Sequence, residues 1–355
     1  MATAGCDDSG VNRRSLALAV LLAAGACRRP APAPTAARGA AQLVERAGLA
    51  MGSELRLTAW TTDPAVAQSA FDAVFREFDR LDALMSVWKA DSDVIRVNAA
   101  AGEHAVAVDR DVREILRIAQ QVSDWTGGCF DVTFGPLADL WKFDQDQDNS
   151  IPSAAAIRQR LPLIDYRQIQ IDETAGTVLL KRRGMRIHLG GIGKGYAVDH
   201  AVKVFRDRGL RDFMIQAGGD MYAGGHRGDR PWKLGIADPR GDHKPFATVE
   251  LSDATFSTSG DYERFFIKDG VRYHHILDLG AGQPARLSRS VTLVTDRAVI
   301  ADALAKGVFI LGPTAGMALI ERLPGVAGVI VGADNRVLVS TALKDRFVLV
   351  APPSP

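Results

Sequence analysis

Cysteine is scarce in this chain, with three in 355 residues at positions 6, 27 and 129, too few for a disulfide framework. An excess of charge of one sign is also missing. The 43 basic and 42 acidic residues leave a formal net charge of +1, so the overall balance favours neither nucleic acid nor an anionic membrane surface as a partner. The apolar run from Leu16 to Ala26 is about half of the ~20 residues that a transmembrane helix needs. No internal repeat of solenoid length is present. What remains, 47% hydrophobic and 24% charged, is the composition of one large or two modest globular domains.

Arg13 and Arg14 precede the early apolar run, which ends in small residues and Cys27, the plan of a secretory signal. Asn12 to Leu16 resembles a twin-arginine export signal, and Ala24-Gly25-Ala26-Cys27 resembles a lipoprotein lipobox, with Ala24 where leucine is usual. The expectation is an exported protein, periplasmic or membrane-anchored by a lipid at Cys27. Residues 1–27 read as the signal peptide, 28–46 as an Ala- and Pro-rich tether, and 47–350 as the folded domain. A mispredicted start codon before a frayed leader is the alternative, because Met1 to Val11 is an unusual acidic preface to a signal.

Within the domain, Met51 to Trp60 alternates as a strand does. Phe71, Val74, Phe75, Phe78, Leu81 and Leu84 fall at three-and-four spacing and predict one amphipathic helix over 66–85. A second helix is predicted over 109–125, with Asp109 as its cap and Gly127-Gly128 as its stop. Ile169 and Ile171 pair with Thr177 to Lys181 across a turn, and helices follow over 154–161, 195–208, 298–311 and 314–322. Further strands are expected at 213–217, 232–237, 248–251, 264–268, 291–294 and 326–331. This order argues for an α+β fold with mixed, mostly antiparallel sheets and packed helices.

The chemistry is carried by glycine clusters. His188-Leu189-Gly190-Gly191-Ile192-Gly193-Lys194-Gly195-Tyr196 follows a strand and opens a helix, yet it fails the Walker pattern at positions 188 and 195 and the dinucleotide pattern at 196. It is either an anion site at a helix N-terminus or a close-packed turn. Ala217-Gly218-Gly219-Asp220 places an acid in a turn at a strand end, and Ser257-Thr258-Ser259-Gly260-Asp261 sets hydroxyls beside glycine. His274 and His275 are adjacent on a strand, so only one of them can face a given site. Cys129, beside two glycines, reads as a small buried residue rather than a nucleophile.

Together with Met51-Gly52-Ser53, Ser86-Val87-Trp88, Ser92 with Asn98, Gly128 to Thr133, Leu189 to Asp199, Ser257 to Arg264, His275 to Gly282 and Ala301 to Leu304, these segments resemble the ApbE family of FAD:protein FMN transferases over nearly the whole mature chain. The resemblance implies FAD held in a cleft between two subdomains, Mg2+ on its diphosphate, and transfer of FMN to a threonine hydroxyl of an acceptor flavoprotein, with AMP leaving. By that likeness Met51, Trp88, Cys129, Phe130, Asp131, His188, Lys194, Ser259, Gly260 and Ile276 fall on FAD-contacting positions. Gly191 (through its carbonyl) and Asp302 fall on metal-ligand positions, and Lys306 stands where the family has a third, threonine ligand. His275 falls on a position near the reacting centre, a candidate acceptor of the threonine proton, with Lys194 stabilising the charge that develops.

Three residues depart from the family pattern: His188 replaces an aspartate, Leu279 a proline, and Lys306 the threonine. An ammonium cannot ligate magnesium, so Lys306 either pairs with Asp302 across one helical turn or weakens metal binding. The rival reading is an ApbE-like protein that binds or slowly hydrolyses FAD, its transfer impaired by Lys306 and His188.

Overall fold

A tight hairpin opens the described part of the chain. The computed structural model describes residues 40–143, 146–241 and 244–355; the leader, its twin-arginine segment and Cys27 lie outside the described residues. Strands β1 (Gln42–Ala50) and β2 (Ser53–Thr61) pair antiparallel, with Ala50 opposite Ser53. The two turn residues, Met51 (φ 47°) and Gly52 (φ 69°), both adopt left-handed backbone, the geometry whose twist matches that of the strands it joins. The tether expected over 28–46 therefore overlaps β1, and the folded body begins at Gln42 rather than at Ala47. The sequence gives no strand signal for β1, which is a sheet edge, partly exposed, with Glu45 and Arg46 breaking its apolar alternation.

Six more strands extend the sheet: β3 (Phe213–Ala217), β4 (Asp220–Gly224), β5 (Ala254–Gly260), β6 (Ser288–Val294), β7 (Ala327–Gly332) and β8 (Val337–Val339). Each lies antiparallel beside its predecessor, giving one eight-stranded sheet in sequential order. The α+β expectation with mostly antiparallel pairing is met.

Helices α1 (Pro64–Met85), α2 (Arg110–Trp125) and α3 (Gly193–Asp207) are inserted between β2 and β3, and α4 (Ala298–Arg322) lies between β6 and β7. α1 starts where Asp63 accepts a bond from the Val66 amide, and it buries Phe71, Val74, Phe78 and Leu81. These meet Leu55, Leu57 and Ile215 of the sheet in the main core. α4 breaks at Gly312 (φ 79°), immediately before Pro313, into the two helices that the sequence predicts. By length and hydropathy it would suit a membrane span, but its first half is buried among α2, α3 and the sheet.

The opposite face of the sheet is covered by a three-stranded sheet of Trp232–Ala237, Pro245–Leu251 and Phe347–Leu349. Trp232, Leu234, Phe246 and Val249 of this sheet pack on Phe256, Val294 and Val329 of the large one. A satellite cluster of Leu137, Trp141, Phe143, Ile157, Phe266 and Leu277 supports one end of the helical layer.

α3 and α4 cap each other. Asp199 on α3 accepts from the Ala298 and Val299 amides at 2.7 and 3.2 Å, and Asp302 on α4 accepts from the Gly195 amide at 2.9 Å. Each carboxylate meets otherwise orphaned donors at the positive end of the neighbouring helix. This close approach requires Gly195 to lack a side chain, since a Cβ there would lie 2.3 Å from the Ala298 carbonyl oxygen.

Candidate active site

The glycine cluster turns out to be two things at once. Gly195 belongs to the close-packed turn, its amide satisfied by Asp302 and its Cα set against α4. Gly190, Gly191 and Gly193 instead form walls of two adjoining cavities, about 300 and 650 Å3 in volume. Val87, Trp88, Phe143, His188, Gly190 and Arg264 line both cavities and so join them into one cleft. The cleft expected between two subdomains lies within a single compact unit, residues 39–355. Its walls come from the loops after α1 and α2, from the glycine turn before α3, and from the strand and loop residues around 264 and 275–279.

At the inner end of the cleft, charges are stacked two deep. Lys306 lines the smaller cavity, and its ammonium is bound to Asp302, which is completely buried behind it. The same ammonium donates to the main-chain carbonyl of Asp302 at 2.9 Å and reaches Ser259 Oγ at 3.5 Å. Lys194 lines the larger cavity and pairs with the buried Asp220 at 3.4 Å, while Asp220 accepts from Ser257 Oγ at 2.5 Å. Burial works against the Lys194 ammonium, but Asp220 and Asp302 outweigh it and raise its pKa. Burial and the Asp220 charge push the carboxyl of Asp302 up, opposed by Lys306 and Lys194.

His275 faces the smaller cavity, and His274 lines a separate pocket where its Nε2 meets the Ala285 carbonyl at 2.8 Å. The two do face different pockets, but not through alternation: the strand ends at His274, and His275 is in the bend that follows it. The Nδ1 atom of His275 is buried and, among the described residues, has no hydrogen-bond partner. Burial lowers its pKa well below the ordinary value, and the charges of Arg264, Lys306 and Lys194 add to the effect. The imidazole is therefore neutral at physiological pH.

The remaining expected residues divide between wall and support. Met51, at the hairpin tip, lines the larger cavity; Cys129, Phe130, Asp131 and Ile276 line the smaller one; Trp88, 56% exposed, stands where the two meet. His188 also serves both, with Nδ1 accepting from the Gly190 amide at 3.1 Å. The Asp131 carboxylate is turned to internal use, since it accepts from Thr133 N and Oγ1 and from the Tyr166 amide. The thiol of Cys129 is pushed up by burial and by Asp278, which suits a wall residue and not a nucleophile. Ser259 and Gly260 are not on the walls: Ser259 lies behind Lys306, and Gly260 makes room for Tyr262, whose ring a Cβ would strike at 2.3 Å.

Residues 51–330 match the family model described as the ApbE family. The chain belongs to the ApbE family. It is 34% identical over 318 residues to the FAD:protein FMN transferase of Treponema pallidum, covering 85% of this chain and 88% of that one. It is 31% identical to one from Klebsiella pneumoniae, with 84% and 92% covered. Among solved structures, the ApbE protein of Thermotoga maritima superposes with a TM-score of 0.80 at 31% identity over 86% of this chain and 99% of that one. The flavin transferase ApbE of Vibrio cholerae gives 0.77 at 26% identity over the same shares.

Membership of the ApbE family raises the question of a metal, and the donor atoms here do not fit one. Both carboxylate oxygens of Asp302 and its carbonyl oxygen are already engaged, by Lys306 and the Gly195 amide. Among the described residues no group of three His, Cys, Asp or Glu side chains is placed to hold a cation. Magnesium requires several free hard oxygens in near-octahedral array. Gly191, Asp302 and Lys306 do come together, as the family likeness implies, but as a salt bridge beside a glycine: a Cβ on Gly191 would lie 3.2 Å from Lys306 Cδ.

Two site residues were missed. Arg264 lines both cavities, and Asp220 anchors Lys194. A signal for Asp220 existed in its place after Gly218-Gly219, a two-residue turn joining β3 to β4. Arg264 ends the Ser257 to Arg264 segment of the family resemblance, but as one charge in a polar run it had nothing to set it apart from its neighbours.

Proposed function

We propose that the chain is an FAD:protein FMN transferase that moves FMN from FAD to a threonine hydroxyl of an exported or membrane-associated redox protein, releasing AMP. The names of its relatives support the donor and the protein acceptor. The observation that carries the chemistry is the buried, unpartnered Nδ1 of a neutral His275 beside a basic cleft end. A neutral imidazole with an unsatisfied ring nitrogen is available to accept a hydrogen bond, and then the proton, from a hydroxyl placed against it.

The flavin lies against Trp88 and Phe130, and its diphosphate reaches the end where Lys194, Arg264 and Lys306 converge. His275 takes the threonine proton as the oxygen bonds to the FMN phosphorus. The anhydride bond to the adenylate then breaks, and AMP departs with its electron pair. Lys194 offsets the negative charge building on the phosphoryl oxygens.

The alternative, FAD binding or hydrolysis with impaired transfer, draws on Lys306 and His188. Incubating the protein with FAD and an acceptor domain bearing a threonine separates the two readings. Fluorescent flavin on the acceptor with stoichiometric AMP is the expected result. AMP without labelled acceptor supports hydrolysis, and absence of FAD binding removes both. For location, the early arginines, apolar run and Cys27 support export with lipid anchoring, which mass spectrometry of the membrane fraction tests.

A further inference from the structure

We propose that Lys306 is the resident cation of the diphosphate site: held by Asp302, its ammonium does for a bound dinucleotide what a divalent ion would otherwise do, so the chain binds FAD without one. The inference rests on the transferase reading only for the identity of the ligand.

An ammonium has three donors. Two of the Lys306 donors are spent on Asp302, on its carboxylate and its carbonyl. The third finds only Ser259 Oγ at 3.5 Å, the long limit of a hydrogen bond. Lys306 also lines the cavity, so a phosphoryl oxygen entering from that side meets a charged donor whose position is already fixed. The pairing costs the cleft no net charge. Lys194 and Lys306 each stand on the cleft side of a buried carboxylate, Asp220 and Asp302 respectively, so both ammonium groups face the space an anion would enter.

A metal at the same point would have to displace the ammonium from the Asp302 oxygens. The stem of the lysine lies along Gly191, where a Cβ would meet both Cδ and Cε, so the absence of a side chain there leaves the path by which the ammonium reaches Asp302. A fixed monovalent charge binds a diphosphate as a point charge, without bidentate geometry.

Two measurements on the full chain test this. FAD affinity is read from flavin fluorescence in EDTA and in millimolar magnesium, and Mn2+ binding is read from loss of the free-ion signal in electron paramagnetic resonance, with FAD present. The expected result is an FAD affinity that agrees within about twofold in the two conditions, with no stoichiometric Mn2+ uptake. Lys306→Thr should lower FAD affinity in EDTA by about tenfold, the loss of one charge-assisted contact, and should acquire Mn2+ binding that restores it. The wild-type measurements stand by themselves should that variant not fold. Stoichiometric Mn2+ uptake by the wild-type chain, or loss of FAD on adding EDTA, overturns the proposal and leaves the transferase reading intact. Absence of FAD binding in both conditions overturns the two together.

Discussion

Lys306 grips Asp302 twice, through a carboxylate oxygen and through the main-chain carbonyl of the same residue one helical turn earlier. The carboxylate has no exposure to solvent, and its other oxygen caps α3 through the Gly195 amide. Asp302 is thus a structural joint between two helices as well as a member of the site.

Removing one partner of such a pair leaves a buried charge without compensation. Asp302→Ala is expected to cost about 3–5 kcal/mol of stability in urea unfolding. Combining Asp302→Asn with Lys306→Met, which keeps an acceptor for Gly195 and removes both charges, should recover most of that loss. A double variant no more stable than the single one would refute the pairing.

His275→Gln should slow transfer by about 10²- to 10⁴-fold, the usual contribution of a positioned base. FAD affinity should change little, because the proposed mechanism sets the ring against the acceptor hydroxyl and not against the flavin. AMP release followed by chromatography, together with a fluorescence titration of FAD, separates the two effects. Undiminished AMP release and acceptor labelling would remove His275 from the base role.

The pH dependence follows from the direction of the His275 shift. A base must be unprotonated to act, and a pKa lowered by burial and by Arg264, Lys306 and Lys194 keeps the ring neutral well below 6.5. The acid limb of the transfer rate should therefore fall below the ordinary histidine range. Lys306→Met removes one depressing charge and should move that limb upward. A limb that stays in place after the substitution would show that the two groups do not communicate.

Gly195→Ala tests the contact between α3 and α4. A methyl group would sit 2.3 Å from the Ala298 carbonyl oxygen and 2.6 Å from Asp302 Cβ, and neither neighbour is a flexible chain end. The expected loss is about 1–3 kcal/mol, read as a lowered urea midpoint with unchanged slope. An unaltered midpoint would mean that the helices part without cost.

Trp88, more than half exposed, packs little of its surface in the free protein. Trp88→Ala should leave stability within about 0.5 kcal/mol while weakening FAD binding by roughly tenfold if the flavin stacks there. Equal FAD affinity in the variant and the wild-type chain would exclude stacking on this ring.

Much of the architecture is written locally. The stripe from Phe71 to Leu81 and the cap at Asp63 define α1, Asp109 and Gly127-Gly128 bound α2, and Gly312-Pro313 splits α4 where the periodicity is interrupted. These signals act within one or two turns of chain, so the sequence alone determines them. β1 was not legible because an exposed edge strand needs no apolar alternation, and its turn depends on Met51 taking a conformation that most side chains avoid.

The site divides along the same line. Glycine-rich turns, wall aromatics and the separation of His274 from His275 could be read from residue order, although a bend after His274 and not strand alternation separates the two. Which charge meets which could not: Asp302 caps Gly195 from 107 positions away, Asp199 caps Ala298 from 99, and Asp220 comes to Lys194 only because β4 lies beside the helix that begins there. Local propensity specifies the face that an element buries, but the partners of a buried charge are chosen by the order in which the sheet and helices stack. That choice made Lys306 and Asp302 a salt bridge and, among the described residues, left His275 Nδ1 without a hydrogen-bond partner.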